Sequence, residues 1–280
     1  MKVFLAGYNI DAQVIAELAG GQNRQDVTPE TLSAAYARIS RDPRPINELR
    51  EVARSEVEKA RKSNSNIIFK MGHHSVAEHA VFNFDLIDVS RLALEEIEKF
   101  RLCSYTEKSQ RYQKLEGSFI VPEEIRKSKV ESRYLEVVKK QNDCYKELVE
   151  KGVEPEDARY VTPLSTYGQV GMTINARNLE LLVRRFASSG LAEIRELGKT
   201  MYELAARIAP SIILFTAAND FDQNTYTELR KIVRGKWERK RKVSQRCLLV
   251  DYTEKADNKL VAALLHTSSE VSYQNCLRIV

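Results

Sequence analysis

The apolar positions of the chain change period several times, and each change marks an element. Residues 2–8, KVFLAGY, read as a strand. The stretches around 30–40 and 46–62 repeat at helical spacing, the second rich in Glu, Lys and Arg and preceded by the breaking run RDPRP. In AVFNFDLIDV, residues 80–89, Val81, Phe82 and Phe84 are set against polar neighbours as in a strand, and Ser90 is placed to cap a helix running to about Phe100. From Pro122 to about Val149, the residues Ile125, Val130, Tyr134, Val138 and Tyr145 recur mostly at helical intervals among charges, which predicts one long amphipathic helix. PEDARYV opens a short helix, YGQVGMTINA reads as a strand, and 177–187 and 191–208 read as two further helices. The pattern predicts an α+β fold: an antiparallel sheet with several flanking long helices.

Toward the end the pattern turns basic. LRKIVRGKWERKRKVSQR, residues 229–246, gathers Lys and Arg around Trp237. A solvated helix and linker explains it most simply; a nucleic-acid patch and a rim attracting anionic folate compete. Residues 247–280 then read as strand, turn, helix, a His-Thr-Ser-Ser-Glu loop and strand, with His266, Ser268 and Glu270 echoing the polar loop of 73–78. This predicts a domain over 1–225, a basic linker over 226–246, and the beginning of a second, incomplete repeat over 247–280.

With 280 residues, 43% hydrophobic and 30% charged, the chain can bury one large core or two small ones. No apolar run approaches the roughly 18 residues of a membrane span, and MKVFLAGYNIDAQ turns polar too soon for a signal peptide. A cytoplasmic protein without membrane contact is expected. Cys103, Cys144, Cys247 and Cys276 are scattered, with no close pair for a zinc ribbon or dithiol. The net charge of +5 says little about partners, and a nucleic-acid partner is not expected, because the strands lack an aromatic base-stacking pattern.

Three segments carry candidate chemistry. GHHSVAEHAVF, residues 72–82, crowds His73, His74, Glu78 and His79, but the spacing departs from the helical His-Glu-x-x-His arrangement, so no metal is expected. A loop binding a polar ligand and a capping loop remain open. KFRLCSYTEKSQRY, residues 99–112, sets Arg101, Glu107, Lys108 and Arg111 among hydroxyls, which suits either a solvated strand or an anion grip. DARYVTPLSTYGQVGMTINARNL sets Arg159 on a short helix, then Gly168 and Gly171 in a strand where backbone can come close to something, then Asn175 and Arg177 at a strand-to-helix junction suited to phosphate.

In that order the three segments resemble the flavin-dependent thymidylate synthase family, whose signature reads Arg-His-Arg-x-x-Ser-x-Asn-Glu-x-Ser-x-Arg. Arg101, Ser104, Glu107, Ser109 and Arg111 match it; Lys99, Phe100 and Thr106 depart, and Glu96 stands where the family has Gln. The resemblance implies methylation of dUMP to dTMP with methylenetetrahydrofolate, FAD and NADPH, in a homotetramer whose sites form between subunits. It implies that Ser109, Gln110, Arg111 and Arg159 hold the nucleotide phosphate, that Glu96 and Glu107 lie at the substrate, and that His73, Ser75, Glu78, Lys99, Arg101 and Asn175 line the flavin. Arg185, with Glu107, is the implied catalytic residue. Phe186 and Gly190 stand where the family carries an Arg and a His. An alternative is a degenerate homologue that binds a nucleotide or flavin without turnover, serving as a scaffold domain.

Overall fold

Alternation in four short segments builds the sheet on which the other elements rest. In the computed structural model, which describes residues 1–24, 26–234 and 249–280, strands β1 (Lys2–Tyr8), β2 (Val81–Ser90), β3 (Ser104–Glu107) and β4 (Tyr167–Asn175) lie in the order β1-β2-β4-β3. Every pair is antiparallel. Phe82, Phe84 and Leu86 of β2 and Val170, Met172 and Ile174 of β4 are buried, while Asn83, Asp85, Gln169 and Gly171 between them are exposed. One face of the sheet is therefore core and the other open. Where the register slips between Ile87 and Val89, Asp88 takes a φ of 57°, and this bulge resets the alternation so that Val89 is buried as well.

Helices α1 (Ala12–Ala19), α2 (Glu30–Arg38), α3 (Ile46–Ser55) and α4 (Val57–Ser65) precede β2, followed by a π-helical turn at Asn66–Lys70 and a 3-10 turn at His74–His79. Helix α5 (Arg91–Glu98) starts where expected, the Ser90 hydroxyl accepting from the Ala93 nitrogen. Then come α6 (Glu123–Arg126), α7 (Glu131–Glu150), α8 (Pro155–Ala158), α9 (Ala176–Ala187), α10 (Ala192–Ile208) and α11 (Asp220–Val233). Leu94 and Ile97 of α5, Leu179, Leu182 and Phe186 of α9, and Leu197 and Met201 of α10 fill the inner face of the sheet. Each such side chain contributes about 1.5–3 kcal/mol on leaving water. A smaller core of Ala34, Ala35, Leu49, Ala53 and Ala60 joins α2, α3 and α4.

Three expectations are corrected. The helix expected over 46–62 is two, because Glu56 leaves the helical region at φ −127°, ψ 58°. The long helix expected from Pro122 is α6 and α7, parted where the Ser128 hydroxyl turns back to the Ile125 carbonyl. Gly168 does make room on β4, but for Leu94: a Cβ there would lie 2.3 Å from Leu94 Cδ1.

The chain forms two compact units, residues 1–231 and 232–280. In the second, α12 (Ala256–Thr267) packs against α13 (Tyr273–Ile279), with Ala262 and Cys276 buried. The expected closing strand is thus a helix, capped by the Ser272 side chain accepting from the Asn275 nitrogen. The Ser268 and Ser269 hydroxyls donate back to the Leu264 and Leu265 carbonyls, so they close α12 rather than opening a polar loop. Among the described residues no strand follows Asn175. Of the basic segment, residues 229–233 end α11, and 235–246 around Trp237 lie outside the described residues. No helix of the described residues is long and apolar enough to cross a membrane.

Candidate active site

Strand β3 is an edge of the sheet and pairs Ser104 with Thr173 through Glu107 with Val170. Tyr105 turns inward, its hydroxyl donating to the Ile97 and Phe100 carbonyls at 2.9 and 3.0 Å and tying the strand to the end of α5. Two residues on, Glu107 is half-buried, and its Oε1 accepts from Arg91 Nη1 at 2.5 Å. Arg91 also pairs with Glu95. Beside them, burial above all, and then the charge of Glu107, push the Glu98 carboxyl above its ordinary value. Arg91 was absent from the sequence-derived candidates, although an Arg in the first turn of a helix opposes the macrodipole and so signals an acidic partner.

The loop after β3 carries the candidates for phosphate. The Lys108 nitrogen donates to the Gln169 carbonyl, and its side chain is exposed. Ser109 and Gln110 line a small cavity of about 150 Å³ with Asp88, Thr166 and Gln169. Gln110 Nε2 is buried in the protein without a hydrogen-bond partner. The Arg111 guanidinium stacks over Tyr112, 5.6 Å from the ring centroid, and lies 3.7 Å from Glu156 Oε1. Arg159 Nε donates to the Glu156 carbonyl at 3.1 Å. Arg111 and Arg159, far apart in sequence, therefore both touch Glu156, the first near its carboxylate and the second at its backbone carbonyl.

A second cavity, of about 580 Å³, opens at the start of α9. Asn175 caps this helix, its side chain accepting from the Asn178 nitrogen. Glu78, from the 3-10 turn, forms an ion pair with Arg177 at the cavity wall. His74, Leu102, Asn178, Glu180, Leu181, Arg184 and Phe215 complete the lining. Leu102 directly precedes Cys103 and β3, so the signature segment and this cavity share a wall. Arg184 Nε is buried with no hydrogen-bond partner. Apolar Leu102, Leu181 and Phe215 beside Arg177 and Arg184 suit a ligand with both a flat apolar part and an anionic part, and the volume lies in the usual range for ligand pockets.

Not every candidate gathers at these two places. Of the expected flavin residues, Glu78 lines the large cavity and Asn175 caps the helix that walls it, whereas His73 and Ser75 are exposed on and beside the 3-10 turn. Lys99 pairs with Glu96 on the last turn of α5, and Arg101 is exposed. Phe100 is buried in the core, with the Arg185 guanidinium 5.6 Å from its ring centroid. Phe186 is also core and presses on Gly198.

Residues 24–211 match the sequence profile described as thymidylate synthase complementing protein. The chain belongs to that family. Among its curated relatives, the flavin-dependent thymidylate synthase of Geobacter sulfurreducens is 33% identical over 190 residues, covering 66% of this chain and 80% of that protein. The flavin-dependent thymidylate synthase of Pyrococcus furiosus is 31% identical over 191 residues, covering 61% and 78%. Two solved structures share the fold. A UMP/dUMP methylase, PolB, from Streptomyces cacaoi bound with 5-Br dUMP gives a TM-score of 0.59 at 20% identity, covering 75% of this chain and 92% of that one. Thymidylate synthase X from Helicobacter pylori with FAD and dUMP gives 0.55 at 19%, covering 76% and 97%. The family's matched region takes in β2, the signature strand β3, β4 and helix α9, leaving out β1 and α1 before it and α11 and the second unit after it.

Proposed function

We propose that the chain is a flavin-dependent thymidylate synthase that methylates dUMP to dTMP, taking the one-carbon unit from methylenetetrahydrofolate and reducing equivalents from NADPH. The reading rests on one observation above the others: the signature strand β3 is hydrogen-bonded to β4, and β4 leads directly into the helix that walls the 580 Å³ cavity. Nucleotide segment and flavin cavity are thereby built on neighbouring strands.

Ser109, the Gln110 backbone, Arg111 and Arg159 bind the phosphate of dUMP, since a dianion is held best by guanidinium forks with hydroxyl or backbone donors. Glu107, held by Arg91, and Glu96 face the uracil ring, and Arg185 assists the reaction. Arg177, Arg184, Glu78 and Asn175 hold FAD in the cavity, with His73, Ser75, Lys99 and Arg101 at its margin. When bound, the reduced flavin supplies hydride. The protein acts as a homotetramer in the cytoplasm, with sites completed across subunit boundaries.

The test is incubation of the purified chain with dUMP, methylenetetrahydrofolate, FAD and NADPH, with dTMP followed by chromatography. Appearance of dTMP supports the reading. Yellow protein that binds dUMP yet forms no dTMP would support a binding homologue, and colourless protein that takes up no FAD would overturn the assignment of the cavity.

A further inference from the structure

Two buried carboxylates hold the segment after α10 in a defined place. Glu30, wholly buried, accepts through Oε1 from both the nitrogen and the hydroxyl of Ser211, each at 2.6 Å. Glu180, 9% exposed, accepts through Oε2 from the nitrogens of Leu214 and Phe215 at 2.7 and 3.0 Å. Between these hooks Ile212 and Ile213 serve the core, at 1% and 2% exposure, while Phe215 remains 46% exposed. Its ring is braced edge-on against Phe69 at 5.2 Å, and Phe69 in turn meets the ring of His74 at 6.1 Å.

A carboxylate on the buried side of a helix is costly unless it is hydrogen-bonded, and core packing alone gives no reason to keep one at Glu180. One of its two acceptor bonds comes from the nitrogen of Phe215, an aromatic residue that lines the 580 Å³ cavity, and the other from the residue before it. We propose that Phe215 is a ligand-contacting residue that packs against the ring system of the bound flavin, and that Glu180 is its positioning residue. This rests on the reading of the cavity as the flavin site. A half-exposed ring braced on one edge keeps a free face, and aromatic faces pair favourably with flat conjugated rings. Glu180 also lines this cavity, and its positioning role is exerted through the backbone it holds, so an acceptor of the same shape can fill that role.

Titration of the full chain with FAD, followed by flavin fluorescence, tests this. Phe215→Ala should weaken FAD binding about fivefold to tenfold, the scale of one lost aromatic contact, without lowering the melting temperature of the flavin-free protein. Glu180→Ala should weaken binding to a similar extent, Glu180→Gln should restore it because its side-chain oxygen still accepts, and the double variant Glu180→Ala with Phe215→Ala should bind no worse than Phe215→Ala. Unchanged affinity in Phe215→Ala, or additive losses in the double variant, would overturn the proposal while leaving the flavin site standing. Failure of the parent chain to bind FAD would overturn both.

Discussion

Glu30 and Ser211 lie 181 residues apart, yet one carboxylate oxygen of Glu30 receives both polar hydrogens of Ser211. The other oxygen accepts from Arg61 Nε at 2.7 Å. The Glu30 carboxylate thus joins α2, α4 and the segment after α10, and removing it takes the acceptor from Ser211 and leaves Arg61 to its exposed partner Glu58. Glu30→Ala should cost about 3–5 kcal/mol, the scale of a broken buried pair. Denaturant unfolding checks this, and an unchanged midpoint would show that the three segments hold together without it.

Gly198 sits within α10, where Ala is ordinarily favoured by about 1 kcal/mol. Here a Cβ would lie 2.7 Å from Phe186 Cβ, an atom fixed to its own helix. Gly198→Ala should therefore destabilise the protein by about 1–3 kcal/mol through overpacking. A rise in melting temperature would contradict the close approach of α9 and α10.

Folding raises the Glu98 carboxyl above its reference value of 4.5, through burial first and Glu107 second. The folded protein holds that proton more tightly than the unfolded chain. Its contribution to stability is complete below the reference value and is lost as pH rises through the folded value. Glu98→Gln abolishes that loss, so the variant should melt above the parent at about pH 7 and level with it at about pH 4. Equal shifts at both pH values would mean the carboxyl is not the cause.

Arg111 and Lys108 are near neighbours on the loop after β3 with different expected roles. Arg111→Ala should weaken dUMP binding by about 1.5–3 kcal/mol, the worth of a charged hydrogen bond. Lys108→Ala should change it little, since that side chain is exposed and Lys108 is tied to the sheet only through its backbone. Isothermal calorimetry separates the two; similar effects from both would point to diffuse charge attraction in place of a defined phosphate site.

Much of the fold was legible because the sheet is one-sided. Phe82 and Phe84 alternate with Asn83 and Asp85 as a half-buried strand must, and the Ser90 cap follows from residue type. The break at Glu56 was not legible, since no Pro or Gly announces it and a single pair of dihedral angles decides it. In the site, motif position named Glu107 and Arg111 as candidates, and the structure pairs Glu107 with Arg91 and sets Arg111 near Glu156. Phe100, a departure from the signature, is a core residue whose ring is covered by Arg185 from another helix, a packing that no motif comparison shows. Phe215 and Glu180 escaped notice for a related reason: the bond joining them spans 35 residues and exists only once α9 and α10 have packed.

The place of β3 at the margin of the sheet also bears on how such a protein changes over time. A strand of four residues, joined to the sheet through β4 alone, can exchange side chains without unstitching β1 from β2 or β2 from β4. Ser104 and Thr106 face outward, away from the core, so a substitution there meets no packed neighbour. Sequence change can thus accumulate on this border while the central pair of strands, β2 and β4, keeps the molecule folded.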